Sequence, residues 1–598
     1  MRLKRISKAV ALGATFALAL SACSPGGPAA PTGSPSAGST GKYSVEPTNT
    51  GLADLGDITT ASGSIAASIG EDEFISYNGF TPEANNAYNS VVTERIQSSF
   101  SYFGTDGAVY QNPAIGSIEK VSDSPLTIKY TINPDAVWSD GTPITTADAV
   151  LAWALQNANL TVDGKPIFNS VAQDLGDQVP KGPKGEASGK EFTLVYAEPN
   201  PDWEIQSLLI HPAHIVAEQG GLSTAEFVAA ALAGDGAKLE KAADFWNTGW
   251  NTDPGTVPDP ALALSSGPYK IDSWEAGQSI TLTANDKWWG TPAATEKLVI
   301  RFAAADTHVQ ALQNADLDVV EPQATIDTVA QLEGLGDDVQ ILAGDTLSWE
   351  HLDFNFAEGN KFGGNPELRQ AFALCVPRQQ IVDNLIKPLN PGAQVMNARE
   401  VFPFQENYGD VVSAAYSGQY DAVDIEGAKR ILEEQNATGV KVRIGYNAPN
   451  PRRTDVVAMI KSSCDQAGFE VVDVGSGDFF SKTLPNGDYD VALYAWSSSG
   501  QITSGENIYA TGKPQNYSQY SNRDVDAAWR KLATSLDPAV QLEQTKAIEK
   551  LLWEDLHGIP LFAHPGITAA RADVLNVRRT AAQSTVLWNA EQWLRAPR

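Results

Sequence analysis

From Ser24 to about Gly51 the chain is dominated by Pro, Gly, Ser and Thr. Such a stretch cannot bury enough apolar surface to offset the entropy of ordering it, so it reads as a flexible tether. It divides the sequence into a short leader and a long part that folds. In the leader, Arg2, Lys4, Arg5 and Lys8 precede the mostly apolar run Ala9 to Leu20, and small residues then lead to Cys23. The apolar run falls short of the ~20 residues a spanning helix needs, and the layout is that of an export signal.

Roughly 545 residues follow the tether, too many for one hydrophobic core, so two or more lobes are expected. With 42 Lys and Arg against 72 Asp and Glu, the formal charge is −30. Nucleic acid is excluded as a partner, because phosphate binding needs clustered cations. Attraction to an anionic membrane is excluded for the same reason, which leaves lipid as the anchor. Beyond Cys23 only Cys375 and Cys464 remain. In an exported chain an even remainder points to a disulfide; two buried free thiols are the alternative. Of six histidines only His211 and His214 lie close together, without further ligands in sequence, so neither a metal nor another cofactor is expected.

Strand and helix patterns mix throughout, giving an α/β class without internal repeats. Leu126 to Ile132 alternates as a strand does. Thr145 and Asp148, three apart before an apolar run, form a capping box that starts a helix over Ala147–Gln156. Glu73 to Tyr77 reads as a β-rich run. Tyr269 to Thr283 reads as a hairpin turning at Ala276-Gly277. Asn365-Pro366 reads as a cap with proline in the first turn. A further helix is expected from about Thr454 to a cap at Gly468.

The ending Leu20-Ser21-Ala22-Cys23 resembles a bacterial lipobox, which implies a lipidated Cys23 as the mature N-terminus. Four blocks in order resemble the family 5 extracellular solute-binding proteins of ABC importers. They are Leu126–Ile132 with Val137–Val150, Ser266–Lys270 with Asn285–Gly290, Ala311-Leu312 with Ala315–Asp318, and Leu352–Asn355 with Leu368–Phe372 and Pro377-Arg378. The resemblance implies a bilobal periplasmic-binding-protein-like fold of two mixed α/β lobes and a hinge. Residues 1–22 would be the signal peptide and 23–52 the lipidated cysteine and linker. Residues 53–335 would form lobe I, 336–560 lobe II, and 561–598 the return to lobe I. The chain would cross near 322–350 and 555–567. It further implies a monomer, not an enzyme, on the outer face of the cell membrane of a Gram-positive bacterium. There it would pass an oligopeptide-like solute to an ABC permease and ATPase.

Peptide-binding members carry a tryptophan and then an aspartate that pairs with the peptide amine. Tyr489 to Trp496 matches the approach to that loop, but Ser499 stands where the aspartate belongs. A ligand amine is then met elsewhere or is absent, and N-acetylated and free peptides are expected to bind alike. The ligand residues implied are Tyr77, Asn78, Trp496, Ser497, Ser499, Asn516 and Tyr517. Aromatic and amide groups suit peptide backbone and also sugar rings, so oligosaccharide is the second ligand class. A surface-anchored hydrolase is a third reading, but no nucleophile elbow, metalloprotease motif or phosphate loop is present. Asp316 and Asp318 are two apart, a spacing that shares a face without defining catalysis.

Overall fold

A computed structural model describes residues 50–596 apart from Ser499. The leader, Cys23 and Ser499 lie outside the described residues. A ten-stranded mixed sheet organises the chain. Its strands are β1 (Ala61–Gly70), β2 (Tyr269–Glu275), β3 (Ser279–Ala284), β4 (Thr295–Phe302), β5 (Val319–Val320), β6 (Val339–Phe354), β7 (Lys441–Gly445), β8 (Glu470–Asp473), β9 (Val491–Ser497) and β10 (Gly558–Arg571). They lie in the order β8-β7-β9-β6-β10-β5-β1-β4-β3-β2. β1 runs parallel to β4 and β5, whereas β6 is antiparallel to both β9 and β10.

Two large apolar cores flank this sheet. One draws on residues from Ile65 to Ile300 and again from Ala570 to Trp593; the other runs from Leu352 to Phe562. The first core thus draws on both ends of the described chain and the second on its middle. The long strands β6 and β10 pass between them side by side. Their ladder breaks between Asp345 and Trp349, where the pairing register shifts.

The first resembling block is scaffold. Leu126–Ile132 alternates buried and half-buried residues and pairs on both sides, with Gly116–Asp123 and Glu191–Val195. The helix Thr146–Leu155 opens on the Thr145 and Asp148 capping box. Asp148 also accepts from the Trp138 indole at 3.3 Å and from the Ala213 amide at 2.9 Å. Arg369 likewise donates to main-chain carbonyls, at Asp555 and Gly363. Asp318 accepts from the Ala66 amide at 2.8 Å and pairs with Arg595 at 2.6 Å, so it ties strands together.

Two local expectations change. Glu73–Tyr77 is not a continuous strand; only Ser76 pairs, in an isolated bridge to Asn251, and the Asn89 side chain accepts from the Ile75 and Ser76 amides. The helix expected from Thr454 starts at Pro451, because Asn450 caps it and proline fits its first turn. β1, of sequence Ala-Ser-Gly-Ser-Ile-Ala-Ala-Ser-Ile-Gly, carries little strand propensity yet lies inside the sheet.

Cys375 and Cys464 end and line two packed helices, Pro366–Cys375 and Pro451–Ala467, and are joined by a disulfide with Cα atoms 5.0 Å apart. Replacing both by serine is expected to destabilise lobe II by about 2–4 kcal/mol, because the bridge closes a long loop. The urea midpoint with and without reductant checks this; an unchanged midpoint would refute a stabilising bridge. Among the described residues no three His, Cys, Asp or Glu side chains gather as a metal site. No described helix is long and apolar enough to cross a membrane.

Candidate ligand site

Near the end of β9, Trp496 stands directly opposite Trp349 of β6, and Ser497, the last residue of the strand, opposite Ser348 with their hydroxyls 2.6 Å apart. The Trp496 ring lies nearly parallel to Tyr517, centroids 6.1 Å apart, and to His351 at 6.5 Å. Its indole N–H is buried and finds no partner among the described residues. Trp496, Trp349 and Ser497 line a cavity of about 620 Å³, closed on other sides by Arg399, Glu400 and Phe402.

The loop after β9 reaches across to the other lobe. Asp202 accepts from the Ile502 amide at 2.7 Å and from the Thr503 hydroxyl at 2.7 Å. The Gln583 amide donates to the Ser497 and Ser498 carbonyls at 3.2 Å. Gly500 has φ +78°, and a Cβ there would lie 2.7 Å from the Phe103 ring, so two constraints require glycine. Phe103 belongs to a hairpin of Ser101–Phe103 and Val109–Gln111. The turn of that hairpin brings Gly107 to the first cavity, while Phe103 borders a second of about 690 Å³ among lobe I residues.

The structure separates the expected ligand residues into three groups. Trp496 and Ser497 line the first cavity. Tyr517 supports it by stacking on Trp496, while the Asn516 side chain is spent on its own loop: it donates to the Ala510 and Tyr520 carbonyls and accepts from the Tyr520 amide. Tyr77 and Asn78 are buried in the lobe I core and line neither cavity. The Tyr77 hydroxyl donates to the Leu264 carbonyl and the Asn78 amide to the Trp246 carbonyl, which is a structural role; the neighbouring Gly79 and Phe80 reach the second cavity instead. His211 accepts from the Trp246 indole at 3.2 Å, and His214 faces Asp140.

Sequence reasoning missed the acidic side of the cavity. The fully buried Glu549 pairs with the Arg399 guanidinium at 3.0 Å and accepts from the Glu400 amide at 2.7 Å. Arg399 spends its other nitrogen on the Gly558 carbonyl. The Glu400 carboxylate accepts no hydrogen bond from any described residue. Burial and the Glu549 charge push it up to about 8, with Arg399 opposing. The only hint in sequence is an Arg-Glu pair inside the apolar run Val395 to Phe404.

The family model for bacterial extracellular solute-binding proteins, family 5 Middle, matches residues 111–519. An uncharacterized lipoprotein of Mycobacterium tuberculosis is 28% identical over 90% of this chain and 94% of its own. The oligopeptide-binding protein OppA of the same species is 24% identical over 83% of this chain and 79% of its own. Among solved structures, the periplasmic EDTA-binding protein EppA superposes with a TM-score of 0.77 at 22% identity, covering 92% of this chain and 98% of that one.

Proposed function

This chain belongs to the bacterial extracellular solute-binding proteins of family 5, binding proteins and not enzymes, and from that premise we propose that it captures oligopeptide-like solutes between its lobes for delivery to an ABC permease and ATPase. The observation that carries the reading is the cavity beside Trp496, at the point where the β9 loop meets lobe I through Asp202 and Gln583. An extended peptide there would offer carbonyls to the unpartnered Trp496 N–H and take bonds from the Ser497 hydroxyl, as sheet edges do. The kinship with OppA supports the ligand class. The lipoprotein relatives and the lipobox-like leader support a Cys23 lipid anchor, with the folded part held outside the cell membrane as a monomer. Ser499, beside the cavity in sequence, stays a proposed contact.

Trp496→Ala is expected to weaken peptide binding at least about tenfold, since it removes a large buried contact face and an N–H donor. Circular dichroism should be unchanged, because the ring packs on the cavity wall and not in either large core. Calorimetry with peptide and oligosaccharide panels tests the reading; tight sugar binding without a peptide response would overturn the ligand class.

A further inference from the structure

We propose that Glu400 is the counter-ion for an ammonium group of the bound solute, the role that the Ser499 loop lacks the chemistry to fill. The inference rests on the peptide reading of the same cavity and names the group its ligands must carry.

Geometry is the first support. Glu400 lines the cavity that Trp496 and Trp349 line. Its carboxylate packs against Gly505, where a Cβ would meet its oxygens at 2.2 and 2.5 Å; only glycine makes room for the carboxylate there. The charges around it are already committed. Arg399 is held by Glu549 and the Gly558 carbonyl, and Glu549 takes the Arg399 guanidinium and the Glu400 amide. The cation next door therefore cannot turn to Glu400, and Glu549 repels it. A part-desolvated carboxyl at a cavity wall, with no donor among the described residues, is stabilised by a cation placed against it. An incoming ammonium would supply the missing charge and up to three donors.

A second feature points the same way. The Trp496 indole N–H also lacks a partner among the described residues. One wall of the cavity thus offers an unpaired acceptor with acid character and another an unpaired donor. A peptide terminus presents the complement, an ammonium beside its first carbonyl. Burial and the Glu549 charge raise the Glu400 carboxyl, and an ammonium beside it would favour its charged form. Tyr509, also packed near it, is pushed well above the ordinary tyrosine range by burial and by the Glu400 charge, so it stays neutral. This reverses the expectation drawn from sequence that acetylation of the amine is harmless.

The test uses the mature full chain and Glu400→Gln, with a randomised pentapeptide mixture lacking Lys and Arg, in free and N-acetylated form, and with spermidine as a non-peptide amine. Wild type should prefer free over acetylated peptides by at least about tenfold, and Glu400→Gln should erase that preference. The substitution removes a disfavoured carboxyl, so the melting temperature should hold or rise; a variant that binds acetylated peptide as wild type does is also folded. Peptide binding that ignores acetylation, or a preference that survives in Glu400→Gln, would overturn the assignment and leave the peptide reading standing. Glu400-dependent binding of spermidine alone would do the reverse. No binding of any probe would overturn both.

Discussion

Stability is expected to fall steeply as the pH drops from about 6.5 towards 4. Burial pushes His211 down to about 3 and His557 down to about 4. Each is 1% exposed and neutral in the folded chain. His211 is stacked on Trp250 and accepts from Trp246, and no carboxylate of the described residues pairs with it. His557 lies 3.7 Å from Asp353, but burial and the charges of Arg399, His351 and Arg369 outweigh that attraction. The folded values lie below the unfolded one, so between them the unfolded chain binds more protons. Stability is therefore full above about 6.5, is lost as the pH falls, and levels off below the folded values. The two shifts correspond to roughly 3–5 kcal/mol each, and two extra protons give a slope of about 2.7 kcal/mol per pH unit. Urea titrations at pH 7, 5.5 and 4.5 measure it. His211→Gln keeps an acceptor for Trp246 and should remove about half the slope. Asp353 adds a later loss: burial raises it, but His351, His557 and the Tyr494 hydroxyl hold it down to about 2, so its contribution disappears only below about pH 4. A flat profile through pH 5 would refute the neutral-histidine account.

Glu350→Ala is expected to cost about 3–5 kcal/mol, because it strands buried cations. Glu350 sits on β6 with no exposure. Arg453, from the helix Pro451–Ala467, and His564, from β10, each reach it at 2.7 Å. Burial alone would raise Glu350, but these partners hold it well below the usual carboxylate range. The carboxylate thus ties a lobe II helix to both connecting strands. The double replacement Glu350→Leu with Arg453→Met is expected to recover much of the loss, since apolar groups of similar volume often match a buried pair. If the single substitution shifts the urea midpoint no more than a surface change does, the network is not holding the lobe.

The scaffold was legible where local chemistry is self-sufficient. The Thr145 and Asp148 box, the Asn365-Pro366 start and the turn at Gly277 each need only a few neighbours in sequence, and all stand in the structure. β1 was not legible, because small residues suit it only through strands hundreds of positions away. The surroundings of Tyr77 were hidden for another reason: an aromatic can face ligand or core, and the Leu264 carbonyl that takes its hydroxyl bond is distant in sequence. Trp496 came through the resemblance, while Glu400 had no motif to announce it. Its character depends on Glu549 and Gly505, which only the fold brings near.

The place of β10 bears on how the molecule matures. This strand comes from residues 558–571 of a 598-residue chain, yet it zips between β6 and β5, near the middle of the sheet. Until it arrives, the strands on its two sides are separate ribbons with open edges. Synthesis runs from the N-terminus, so everything up to residue 571 must emerge before the sheet can close. Shortening it by its last forty or so residues would leave two half-sheets exposing sticky edges to proteases and to each other.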